Sequence, residues 1–229
     1  MSDSLHPEQS SGVSLVERLP AADFPVRVVD IVVETSIEDK RSDRAEVEDA
    51  LCEALGAADI DIPIAVVRDL GETLREADGK VTVTVRSAGG TGEKWEVTRV
   101  RPSTDGAPWY VAVLDLGTVT VWGHLLDGET GRVVVTAAAK NPREVLDRMG
   151  SRCGAMEESI EHVVVAGGTS TVLAFLGPEV RPREVDPHVP PWVDLRPVPA
   201  STLQLGRFLS ARAVVKALPA ASDLVGGDV

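Results

Sequence analysis

Apolar positions along the chain switch between two spacings, alternation and the near-four-residue step of a helix, and the switches outline its elements. Residues 26–34, VRVVDIVVE, form a β-rich run behind Pro25. Carboxylates dominate residues 37–54, and within and just beyond them Val47, Ala50, Leu51, Ala54 and Leu55 recur at helical spacing, with Gly56 as a stop signal. A second helix is expected to open at Asp61 with Pro63 in its first turn. Val66, Val67, Leu70, Leu74 and Ala77 make its apolar stripe, and Gly79 ends it. KVTVTVR (80–86) and KWEVTRVRP (94–102) alternate strictly, which predicts a hairpin with one wet face across the glycine-bearing loop 87–93. Together these elements predict a small α+β unit over residues 24–102, with PSTDGAP (102–108) as the linker that follows.

A second unit, 107–229, begins with three strands at 109–115, 118–126 and 132–139, the last two joined by a turn at 127–131. Asn141-Pro142 breaks the third strand and opens a helix to about residue 156. HVVVAGG (162–168) is a buried strand ending in glycines, and 169–176 continues as a short helix. Residues 178–199 are proline-rich and read as irregular, whereas 204–218 carries helical spacing at Leu205, Phe208, Leu209, Val214 and Val215. Polar residues 1–12 predict a disordered tail, extended by linker to residue 23.

Composition narrows the function classes. The 229 residues are 43% hydrophobic but only 3% aromatic, a core of small and β-branched side chains that suits strands backed by helices. A net charge of −13 repels phosphate backbones and argues against nucleic acid as a partner. Cys52 and Cys153 are two thiols where an iron–sulfur cluster needs about four, so each is expected to be a buried reduced thiol. No stretch reaches the ~18 apolar residues of a membrane span and no signal peptide is visible, which together predict a soluble, cytoplasmic protein without a membrane partner.

Candidate chemistry concentrates at one turn, Asp115-Leu116-Gly117-Thr118, at the tip of an otherwise apolar hairpin. Turns favour Asp and Gly for their own reasons. A phosphate would also use them: glycine lets the backbone approach, consecutive N–H groups point at the anion, and Thr118 adds a hydroxyl. Asp115 is the candidate metal ligand, able to hold Mg²⁺ through water. Gly167 and Gly168 precede a helix whose first N–H groups suit an anion, although on spacing alone they serve better as a turn that seats the helix on the sheet. His124, His162 and His188 lack partners at metal spacing. Ser170 has no nucleophile-elbow frame, and Trp109 and Trp192 read as packing residues.

The tip belongs to a longer pattern. YVAVLDLGTVTVWGHLLDGETGRVVVTAAAKNP resembles the first phosphate hairpin of the actin-like ATPase superfamily. Within it, the stretch is most similar to the ATP-dependent reductive activators of corrinoid proteins. VETSIEDKRSDRAEVEDAL and VVRDLGETLREADGKVTVTV resemble that family's linker and middle domain. VVVAGGTSTVLAFLGPEVRP and LVGGDV resemble later family segments, in the family's order. The likeness spans about residues 24–229. The chain departs from the pattern at Val119, where Thr is usual, at Gly168, where Asn is usual, and at Thr171, where Met is usual. It shows neither the second phosphate hairpin nor the amino-terminal [2Fe–2S] domain.

The resemblance implies an α/β fold: a small α+β middle domain followed by the first half of an actin-like, ribonuclease H-like ATPase domain. It implies ATP and Mg²⁺ as cofactors, held by Asp115, Gly117 and Thr118, with Thr120, Gly167, Gly168 and Thr169 as further candidates. It implies ATP-dependent reduction of a corrinoid protein from Co(II) to Co(I), with no iron–sulfur cluster on this chain and a separate iron–sulfur electron donor. Two alternatives stand beside it: a non-catalytic module that docks on a corrinoid protein or on a second copy, and a small-molecule kinase of the same superfamily. A half-clamp exposes sheet edge and apolar surface, which predicts a homodimer.

Overall fold

The computed structural model describes residues 25–33, 42–57, 59–87, 94–103, 106–177 and 198–218. The first four strands and two helices run β1 (Val26–Val32), α1 (Asp43–Leu55), β2 (Asp59–Asp61), α2 (Ile64–Glu76), β3 (Lys80–Ser87) and β4 (Lys94–Pro102). They form a four-stranded sheet in the order β1-β3-β4-β2, antiparallel except for the parallel β2–β4 pair. Local chemistry explains the helix ends. Ser42 caps α1 by accepting the Ala45 N–H, and Gly56 closes it in the left-handed region at φ +62°. Both helices cover one sheet face, where Val47, Leu51, Leu70 and Leu74 bury against Val81, Val83, Val85 and Val97.

The second sheet is built from β5 (Tyr110–Leu116), β6 (Val121–Asp127), β7 (Val133–Ala139), β8 (Ile160–Gly167), β9 (Val198–Pro199) and β10 (Leu209–Ala217). Its order is β7-β6-β5-β8-β10-β9, with β5, β8 and β10 parallel and the other pairs antiparallel. α3 (Pro142–Cys153) starts on an Asn141 cap that accepts the Glu144 N–H, with Pro142 in the first turn. α3 and α4 (Thr169–Leu176) join one apolar cluster with the sheet through Val145, Leu146, Met149, Val172 and Leu176. Gly123 lets α3 approach β6, since a Cβ there would lie 2.4 Å from Val145 Cγ1. The mixed α/β architecture with two sheets agrees with the fold class expected.

Several expectations need correction. Residues 209–217 are a strand, not part of a helix. Ala213, Val215 and Ala217 enter the main core at period two while Val214 is buried on the opposite face, and a strand buried on both faces loses its alternation. Residues 59–61 form a strand that pairs with β4, so α2 opens only at Ile64; it reaches its cap at Ala77, and Gly79, at φ +74°, closes it by donating its N–H to the Leu74 carbonyl. The hairpin's second face is not wet: Thr82 and Thr84 are each 3% exposed, because that face lies toward the second sheet. Cys52 and Cys153 are free but only half-buried. The amino-terminal tail, His188, Trp192, most of the proline-rich segment and LVGGDV lie outside the described residues.

Candidate phosphate site

β5 carries Asp115 to its carboxyl end, and the chain reverses through Gly117, Thr118, Val119 and Thr120 before entering β6. The turn is tight: a Cβ on Gly117 would sit 2.5 Å from the Thr120 carbonyl oxygen, which only glycine avoids. Asp115, Gly117 and Thr118 are exposed, Thr120 is half-exposed, and Val119 projects with 81% of its surface free. The hydrogen-bonded register sets Asp115 opposite Trp122, so both side chains share one face, and Trp122 is 52% exposed.

The second glycine segment arrives beside this turn. β8 runs parallel to β5, with Asp115 paired to Ala166 and Leu116 to Gly167. Gly167 adopts φ +142°, and a Cβ on it would lie 2.7 Å from the Leu116 carbonyl oxygen. Gly168 then opens α4, with its carbonyl accepting the Thr171 and Val172 N–H groups and no side chain capping the first turn. The chain leaves β5 toward β6 and β7 on one side, then crosses through α3 to β8 on the other. The carboxyl ends of β5 and β8 therefore flank the point where strand order reverses, where open α/β sheets bind their ligands. The exposed turn with Asp115, Gly117 and Thr118 forms a ledge beside the buried Gly167 and the start of α4 at Gly168, joined to them through the Leu116–Gly167 pair. Sequence reasoning proposed both pieces but not their pairing; the available signal was that each follows an apolar strand ending in glycine.

The residues present suit Mg²⁺–phosphate rather than a protein-caged metal. Among the described residues no group of three or more His, Cys, Asp or Glu could hold a metal. A single exposed carboxylate at the tip, Asp115, suits Mg²⁺, which keeps several waters and takes its other ligands from phosphate. Two of the other candidates have partners within the fold. His124 Nδ1 lies 3.0 Å from Thr136 Oγ1, and Trp109 is buried against Gly128. In the 127–131 turn, Asp127 accepts from the Thr130 N–H at 2.7 Å and from its hydroxyl at 2.6 Å. Shallow depressions of about 550 and 530 Å³, one along α3 and one beside residues 200–211, are lined by none of the candidate phosphate residues.

Comparison with known proteins adds two findings. Residues 21–106 match a family model described as the RACo linker region. A solved structure named "Reductive activator for corrinoid, iron–sulfur protein" superposes with a TM-score of 0.73 at 20% identity, covering 94% of this chain. The chain spans 38% of that structure's length. No curated protein matches the sequence. No helix among the described residues is long and apolar enough to cross a membrane. Residues 21–106 thus resemble a RACo linker region, and the chain shares its fold with a part of the solved structure of that reductive activator.

Proposed function

We propose that this chain is the linker and first nucleotide-binding half of an ATP-dependent reductive activator, one that returns a corrinoid protein from Co(II) to Co(I). The observation that carries the reading is the meeting of two glycine segments where the strand order reverses, at the ends of β5 and β8. In this reading Gly117 and Thr118 take a terminal phosphate on backbone N–H groups and a hydroxyl. Asp115 holds Mg²⁺ through water, and the uncapped α4 start at Gly168 and Thr169 offers its N–H groups to a second phosphate. Mg²⁺, when bound, neutralises phosphate charge. A ledge open to solvent cannot exclude water, so hydrolysis requires the opposing half of a nucleotide clamp. The electron comes from an iron–sulfur donor, and the corrinoid protein is the partner.

A second reading, docking without turnover, is favoured by one observation: Val119 and Trp122 leave a large apolar surface exposed at the tip itself. Calorimetry with Mg·ATP and Mg·ADP on the parent chain and on Asp115→Ala separates the two. Micromolar binding that the substitution removes supports the nucleotide reading. Absence of heat in both chains overturns the nucleotide reading and leaves docking as the leading account.

A further inference from the structure

The two sheets meet through a charge cluster, centred on the buried Glu161, that the nucleotide reading does not use. Glu161 falls at the register shift between the Tyr110–Ile160 and Val111–His162 pairs, making it the extra residue of a bulge, and bulges re-aim side chains. Its side chain is 1% exposed and faces the linker sheet, where Arg99 Nη1 is 3.7 Å and Arg101 Nη1 is 4.0 Å away. Arg99 also pairs with the Glu158 carboxylate and donates to Ser210 Oγ at 3.3 Å. From β10, Arg212 Nη1 donates to the Thr98 carbonyl at 3.0 Å, and Thr98 is itself the unpaired residue of a bulge on β4. Beside the charges, Val26 of β1 packs with Trp109, Val111 and Leu126.

Desolvating a carboxylate between two guanidiniums is costly, and such a group persists only where its partners are held in place. A one-residue slip of either sheet would aim Glu161 at the wrong face of β4 and strand a buried charge. Residues on either side of positions 104–105 also reach β1. Asp30 of β1 accepts from Ser103 Oγ at 3.4 Å and from the Gly106 N–H at 3.3 Å.

We infer that Glu161 keys the linker sheet and the six-stranded sheet into one rigid body, which carries the 115–120 tip at a fixed orientation to the linker. Interfaces between domains of one chain are by default free to move; this one is not. Glu161 lies five residues before Ala166 on β8, so the key and the tip sit about 17 Å apart along one strand. Displacement of the linker sheet therefore reaches the tip through β5 and β8 instead of being absorbed at a hinge. This coupling holds whether the tip takes a nucleotide or a protein.

The test uses the whole chain with Cys52→Ser and Cys153→Ser, and spin labels on Glu72→Cys in α2 and Arg143→Cys in α3. Pulsed electron–electron resonance should give one narrow inter-label distance in this parent. Glu161→Gln and Arg99→Gln should each broaden it at least twofold while the far-ultraviolet circular dichroism stays that of the parent. If Glu161→Gln does not fold, Arg99→Gln, at the rim of the interface, carries the test. A parent distribution that is already broad, or one equally narrow in the folded variants, overturns the inference.

Discussion

Gly167 of β8 pairs with Leu116 of β5 so closely that a Cβ would lie 2.7 Å from the Leu116 carbonyl oxygen, at a φ of +142°. Gly167→Ala must therefore both strain its backbone and push the two strand ends apart. The expected cost is about 2–4 kcal/mol, read as a lower midpoint in urea unfolding. On the nucleotide reading, Mg·ATP affinity falls with it, because the shift separates the turn from α4.

Asp115→Ala should behave in the opposite way. The residue is exposed at a strand end, so the expected cost in stability is below about 1 kcal/mol. Magnesium-dependent nucleotide binding should fall at least tenfold. Unfolding and calorimetry on the same preparation check both; a large stability loss would make Asp115 a structural residue.

His162 predicts a pH dependence. It is buried, neither ring nitrogen has a hydrogen-bond partner of good geometry, and its pKa is lowered to about 4. Burial is the main cause, reinforced by Lys216 and Arg86 and weakly opposed by the Val214 backbone. The unfolded chain takes the proton near pH 6.5 and the folded one only near 4, so stability is lost as the pH falls between those values. The loss is at most about 3 kcal/mol. The buried Glu161 carboxyl has the opposite slope, since burial raises its pKa against the pull of Arg99 and Arg101 and the folded state binds that proton more readily. His162→Phe keeps the Glu161 contribution and removes the histidine's. Unfolding free energies of parent and variant from pH 7 to 4 should therefore diverge, the variant losing less.

Asn141→Ala removes the side-chain oxygen that accepts the Glu144 N–H at 2.9 Å at the start of α3. The expected cost is about 1 kcal/mol. Asn141→Asp, which keeps an acceptor, should recover most of it in thermal unfolding.

What the sequence made legible was what local chemistry decides. Gly56, Asn141-Pro142 and the glycines before Thr169 each mark a boundary because the backbone there needs that residue whatever surrounds it. The strand at 209–217 was illegible because its apolar residues bury on both faces, leaving a run that fits a helix equally well. β2 is three residues long and exists through its pairing with Lys94, Trp95 and Glu96, more than thirty residues away. The buried Thr82 and Thr84 face looked wet for a similar reason: what covers it comes from β5, β8 and β10. Of the ledge, each half was readable as a short glycine motif, while their adjacency depends on a parallel register between strands fifty residues apart.

The pairing of Asp115 with Trp122 gives the protein its own optical probe. Trp95 and Trp109 are buried, whereas Trp122 sits half in water on the face it shares with the Asp115 carboxylate. In a Trp192→Phe chain, the red side of the emission spectrum belongs to that one indole. A cation or phosphate arriving at the carboxylate changes the solvent around the ring. Quenching by iodide then reports occupancy of the ledge directly, without a label and at protein concentrations far below those calorimetry needs.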